Sequence, residues 1–352
     1  MGRIDHVLDL RARDRRCVLR SRNQGKTASG VAVDISPSVY EHAAFLIGRT
    51  PWEASRDGDL IFEGHAEAYR RYRHAPIMPG IDIYNLEAEA YGGVVRKPGG
   101  VGVPAISKPI LASAGELTSL KPFDPRRDGR IPMILDVARR LVREFPEAVI
   151  RVPVSGPFSI ASNLVGFETL LYEVATEPDR VAAGLMHLVD GQVAFAEGIK
   201  AAGVDIAFFE SAACPPLLSP KSFREIELPA LKSIMAHLAE AVGHPVPCII
   251  GGDTTPIVEP MLETGTNYLA CPFETDQEAF MRKVWDRTDV RIRINSDVEL
   301  ISRGTWEQIR ADADRIISLA RGRENVCMGT GALPYETPPE NVLMLMEYVR
   351  DR

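Results

Sequence analysis

The sequence holds no apolar run approaching the roughly 18 residues that a membrane-spanning helix needs. It has no basic excess either. The net charge of −7 argues against a nucleic-acid partner, whose footprint is a basic surface. The one basic cluster, RARDRRCVLRSRNQGK (11–26), reads as a solvated helix face. Five cysteines, odd in number and irregularly spaced, form no disulfide framework, and free thiols suit a reducing compartment. The opening MGRIDHVLDLRARDRR lacks the apolar core of a secretory signal. The expectation is a soluble, cytoplasmic chain with neither membrane nor nucleic acid as partner. A dinucleotide fingerprint is missing as well: GGVGVPAIS, with Gly102, follows a loop and opens no helix, so it reads as a turn.

What the chain does have is an ordinary globular balance, 45% hydrophobic and 25% charged over 352 residues, enough for a large core without metal or disulfide staples. Eight short apolar runs punctuate it. They are GVAVDIS (from Gly30), APIMPGID (from Ala75), VIRVPVSG (from Val149) and DIAFFES (from Asp205), then VPCIIGG (from Val246), YLACPF (from Tyr268), VRIRINSD (from Val290) and NVCMGTG (from Asn325). Each stops at Gly, Pro, Ser or Asp, as a strand buried on both faces of a parallel sheet does.

Longer amphipathic stretches lie between them. The stretch from Glu177 to Ala202 has Pro178 in its first turn and Gly203 past its end. SPKSFREIELPALKSIMAHLAEAV offers Ser219 as N-cap before Pro220, and GTWEQIRADADRIISLARGR offers Thr305 as cap and Gly322 as stop. The pattern predicts an α/β fold, a single (β/α)8 TIM barrel over 30–352, preceded by a helical extension at 1–29.

In such a barrel chemistry belongs at the C-terminal strand ends. Those ends carry Asp34 and Ser36, Asp82, Ser155 and Gly156, Glu210 and Ser211, Gly251 to Thr254, Cys271, Asn295 to Asp297 and Gly329 to Gly331. The bare glycines of CIIGGDTTP let a planar ligand approach the backbone.

Several of these residues have two readings. Glu210 follows four apolar or aromatic residues, so partial desolvation lifts its pKa toward acid–base use, unless a loop arginine pairs with it. Asp253 is an acid, base or hydrogen-bond acceptor, or else it or Thr254 caps the helix that begins near Pro256. Cys271 is a ligand or nucleophile, or a small buried hydrophobe. EAEA reads as the first turn of a helix, with Glu89 structural, Asp82 in the site and Glu87 open. Asn295 and Asp297 bind substrate or cap the next turn. None of the seven histidines lies at a candidate strand end, and His65 and His74 bracket AEAYRRYR, which reads as an exposed helix.

EAEAYGG, SGPFSIASNLVGFETLLYEVATEPDRV, LLSPKSFREIELPAL, GGDTTPIVEPMLETG, NSDVELISRGT and GTGALPYETPPENV occur in order along the chain. With them the sequence resembles the uroporphyrinogen decarboxylase superfamily from about Gly30 onward, and within it the cobamide-dependent methyltransferases. The strand-end reading makes Glu210 and Asp253 catalytic candidates and Ser155, Ser211, Thr254, Cys271, Asn295 and Asp297 candidate substrate contacts. The resemblance adds Asp82 to the catalytic set and Asn163 and Thr330 to the substrate contacts. It also implies a small methylated substrate, a cobalamin cofactor and a possible homodimer. No Asp-x-His-x-x-Gly signature of a cobalamin domain occurs, so the corrinoid is expected on a partner protein.

The zinc-binding relatives carry His-x-Cys before Gly-(Asn/Asp)-Thr, and a later Cys between glycines. Ile249, Gly251 and Thr330 stand at those positions here, and sliding the register by one recovers only Cys248, so zinc is not expected. The decarboxylase template fits Asp82 with a one-residue offset, but it meets Asn163 in place of its tyrosine and Thr330 in place of its histidine. PSVYEHAAFLIGR replaces its arginine-rich loop. Decarboxylation of a different or smaller substrate is the alternative activity.

Overall fold

The structure, a computed structural model, describes residues 33–352. The expected helical extension at 1–29 lies outside the described residues, as does the start of the first apolar run.

Seven parallel strands form one sheet. They are β1 (Asp34–Ser38), β4 (Arg151–Ser155), β5 (Asp205–Phe209), β6 (Cys248–Ile249), β7 (Tyr268–Cys271), β8 (Arg291–Ser296) and β9 (Val326–Ala332). Their order is β1-β9-β8-β7-β6-β5-β4. A separate antiparallel ribbon pairs β2 (Val95–Arg96) with β3 (Ala105–Ile106), so the stretch expected as a turn ends in a short strand. The parallel sheet curls on itself: Phe209 at the end of β5 meets Tyr40, just after β1, edge-on at 6.3 Å.

Seven of the eight expected strands thus form ladders, and the second does not. APIMPGID contributes one isolated parallel bridge, Ile77 to Ile150. Ile77 N–H donates to Val149 O at 2.9 Å, and Arg151 N–H donates to Ile77 O at 3.0 Å. Pro76 and Pro79 on either side have no N–H to give, which confines the ladder to this one bridge. On the side toward β1, Ser36 Oγ accepts from Ala75 N–H and donates to Ala75 O, both at 3.0 Å. A serine side chain stands there in place of a strand ladder.

Helices pack outside, and their ends follow the sequence signals. Pro178–Ala202 stops at Gly203, whose φ of 73° only glycine takes without strain. Thr305 forms a capping box with Gln308 at the start of Trp306–Ala320. Val181, Leu185, Leu188, Phe195 and Ile199 bury one face of the long helix. Shortening Leu185 to alanine would cost about 2–5 kcal/mol.

Two segments differ from expectation. Gly58–Tyr72, which contains AEAYRRYR, buries Ala66, Ala68, Tyr69 and Tyr72. His65 and His74 are buried with them, at 0% and 3% exposure, so the segment is amphipathic rather than exposed. Before Leu228–Val242 the chain makes a π turn, Phe223–Glu227. Pro229 has no N–H, and its ring crowds the carbonyl four residues back, which widens the turn there. Among the described residues no helix is long and apolar enough to cross a membrane.

Candidate active site

A cavity of about 520 Å³ opens at the C-terminal side of the sheet. Its apolar wall includes Met78, Ile83, Phe209, Ile249 and Ala270. Tyr40 and Tyr84 each stand edge-on to Phe209 at 6.3 Å. Of the expected site residues, Asp82, Ser211, Asn295 and Thr330 line this cavity.

Asp82 is buried, and its carboxylate is fully engaged. Arg130 donates to it from Nη1 and Nη2 at 2.8 and 2.7 Å, and Asn85 donates at 3.0 Å. Arg130 also pairs with Glu89 at 2.5 Å, so Glu89 is a structural partner, as expected. Ser211 shares a 2.5 Å hydrogen bond with the Tyr84 hydroxyl in the cavity wall. Burial pushes the Tyr84 phenol far above its usual pKa, which keeps that hydrogen in place.

Glu210 lies one residue behind the wall, fully buried. Among the described residues no arginine pairs with it. Instead it accepts from Phe158 N–H at 3.0 Å and Ser159 N–H at 3.2 Å, which open the helix Pro157–Val165, and from Ser159 Oγ at 2.5 Å. Ala212 N–H adds a bond at 3.2 Å. Gly156 makes this approach possible, because a Cβ there would lie 2.0 Å from Glu210 Oε2. Burial pushes the Glu210 carboxyl up to about 7. The carboxyl of Glu227, on the π turn, lies close enough to interact with Glu210 without reaching hydrogen-bond geometry, and its oxygens have no other partner. Burial and that neighbour push Glu227 well above the carboxylate range.

Ser155, Asn163 and Thr254 do not line the cavity. Ser155 donates from N–H and Oγ to Glu87 at 2.7 and 2.8 Å. Burial pushes Glu87 up to about 7. Asn163 donates to Tyr84 O at 2.8 Å. Thr254 is fully buried, and its hydroxyl has no partner, so it makes no cap bond. Asp253 accepts from Thr275 Oγ1 at 2.9 Å and is outside the cavity lining. Asp297 caps the helix Val298–Arg303 by accepting from Glu299 N–H at 2.9 Å. Cys271 is wholly buried in the core, where burial pushes its thiol far up.

Sequence reading missed Arg293, mid-strand in β8 and facing the cavity. Its alternation with Arg291 and Asn295 in VRIRINSD was the available signal, since every second residue of a strand shares a face. It also missed Tyr40, Tyr84 and Phe209, which only the curl of the sheet brings together. Among the described residues no group of three or more His, Cys, Asp or Glu is placed to hold a metal. Cys248, the one thiol a slid register could offer zinc, belongs to the core.

A parallel α/β sheet with a small-molecule cavity at its C-terminal strand ends defines the fold class. The uroporphyrinogen decarboxylase (URO-D) family profile matches residues 26–352, and the chain belongs to that family. The chain is 28% identical over 309 residues to the methylated-thiol--coenzyme M methyltransferase of Methanosarcina mazei, covering 85% of this chain and 77% of that protein. It is 28% identical over 229 residues to the methylcobamide:CoM methyltransferase MtaA of Methanosarcina barkeri, covering 64% of this chain and 65% of the relative. The uroporphyrinogen decarboxylase of Thermobifida fusca is 27% identical over 330 residues, 89% of this chain and 85% of that one. In fold, the chain superimposes on a methyltransferase from Methanosarcina mazei with a TM-score of 0.75, at 20% identity, over 92% of this chain and 94% of the other.

Proposed function

We propose that this chain is a corrinoid-dependent methyltransferase component, moving a methyl group between a small substrate in the cavity and a cobalamin on a separate carrier. The likeness over 85% of the chain to a methylated-thiol--coenzyme M methyltransferase carries this reading. The cavity volume of about 520 Å³ falls in the range of small-molecule sites. Cobalamin, once presented by its carrier, supplies the cobalt that gives or accepts the methyl group.

This chain's own residues bind the substrate and manage its proton. Tyr84 and Ser211 present hydroxyls to the heteroatom that loses or gains methyl. Glu210, holding a proton near neutral pH, fixes the Ser211 loop through Ala212 N–H and is the nearest buried acid to it. No step is routed through zinc, because Ile249 and Gly251 offer no ligand atoms and the Thr330 hydroxyl is already bonded to Ser38 N–H and Gly331 O.

Purified protein, reduced cobalamin and a panel of methyl ethers and methyl thioethers test the proposal. The expected result is methylcobalamin, read from its absorbance. Carbon dioxide release without cobalamin would overturn it in favour of the decarboxylase alternative.

A further inference from the structure

Arg293 is buried, at 6% exposure, yet all its hydrogen-bond partners are neutral. Nε donates to Asn295 Oδ1 at 3.1 Å. Nη2 donates to Ser36 O at 2.7 Å, Ser38 Oγ at 2.9 Å and Thr330 O at 3.2 Å. No Asp or Glu of the described residues pairs with it, and its other close polar neighbour is the Tyr268 phenol, which also lines the cavity. The fold makes room for it, since a Cβ on Gly329 would lie 2.0 Å from Nε.

A guanidinium keeps its proton inside a protein, and burying its charge without a counter-charge is unfavourable. The neighbouring cations follow that rule: Arg130 holds Asp82 and Glu89, and Arg151 holds Asp205 at 2.8 Å. Arg323 is the instructive contrast. It too has no hydrogen bond to a carboxylate of the described residues, but both its Nη atoms are spent on backbone carbonyls, and it does not line this cavity. Arg293 faces an open space whose wall is aromatic around Phe209, with Tyr40 and Tyr84 set edge-on to that ring. Of the acids in the lining, Glu41 and Glu274 make no bond to Arg293 and Asp82 is neutralised by Arg130.

We infer that the cavity takes a small organic anion with a planar apolar body, its carboxylate seated on Arg293 and its ring against Phe209. Naming that anion as the methyl substrate rests on the proposed methyl transfer. The anion site itself rests only on the cavity and its arginine.

Calorimetric titration of the full chain, without cobalamin, with 4-methoxybenzoate and its uncharged counterpart 4-methoxybenzamide tests the inference. The acid is expected to bind at least about tenfold more tightly, equivalent to about 1.4 kcal/mol. Arg293→Gln should bring the two ligands within about twofold. Because Arg293 also ties β1 to β9, Asn295→Asp serves as a second variant. It sets a carboxylate beside Nε in nearly the same shape and should also erase the preference. Equal binding of the two ligands, binding of neither at millimolar concentration, or a preference that survives in a folded variant overturns the inference. Cobalamin takes no part, so a failure of methyl transfer leaves this outcome unaffected, and the converse holds too.

Discussion

Arg130 grips Asp82 through two parallel hydrogen bonds, 2.8 Å from Nη1 to Oδ1 and 2.7 Å from Nη2 to Oδ2, with both side chains nearly sealed from water. Such a fork fixes the Asp82 backbone, and with it the turn that carries Tyr84 into the cavity. Asp82 therefore works as a positioning residue. Removing one partner strands the other charge, although Glu89 still holds Arg130 in part. Asp82→Ala is expected to lower unfolding stability by about 3 kcal/mol in urea denaturation. An activity loss at unchanged stability would instead place Asp82 in direct contact with substrate.

Gly156 tests whether the Glu210 network is rigid. A methyl group there meets the Glu210 carboxylate at 2.0 Å, and the carboxylate has nowhere to retreat, because Phe158 and Ser159 amides already hold it. Gly156→Ala is expected to destabilise the fold by about 2 kcal/mol or more through overpacking. Methyl transfer should fall with it. A variant with wild-type stability would show that Glu210 is free to move.

These residues also show what the sequence revealed and what it hid. Strand positions were legible because each apolar run ends at a breaker, and helix ends were legible because Gly203 and Thr305 obey local rules. APIMPGID failed as a ladder because two prolines outweighed its apolar character, a cost visible only once partners are assigned. Glu210 was readable from DIAFFES. Its true partners, helix amides rather than an arginine, were not, since they depend on how β4 and β5 lie side by side. Arg293 and Tyr84 gain their meaning from a cavity, and a cavity has no linear signature.

Cys271 separates thiol chemistry from packing. It sits at 0% exposure in the core, and its carbonyl accepts from Gln277 Nε2 at 3.2 Å. Cys271→Ala is expected to keep methyl transfer within about twofold while lowering stability by about 1 kcal/mol, as for a small loss of buried volume. A thiol reagent should leave this residue unmodified in the native protein, checked by mass spectrometry of the digested chain. Prompt labelling with loss of activity would make Cys271 a site residue.

The buried acids give the molecule a pH signature. Burial raises Glu210 and Glu87 to about 7, and Glu227 well above its usual value. Each is an acid whose folded pKa lies above its unfolded one, so the native state binds more protons between the two. Their contribution to stability is complete below about pH 4.5 and is lost as pH rises through about 7. Asp205, held down to about 2 chiefly by Arg151 against the pull of burial, loses its contribution only in strong acid, outside that window. His244, raised by its bond to Asp205, falls off in the same direction as the glutamates. His65 and His74, lowered by burial to about 4 and 3, act oppositely, and only below their unfolded value near 6.5. Glu227→Gln isolates the carboxyl pair from all of these. It removes the like charge beside Glu210 and leaves every histidine in place. The wild-type urea midpoint should drop between about pH 6.5 and 8.5, and the variant's should drop less, ending above wild type at the alkaline end. Parallel curves for the two proteins would mean that Glu227 neither titrates in this range nor shifts Glu210, and that the alkaline loss comes from Glu210, Glu87 and His244.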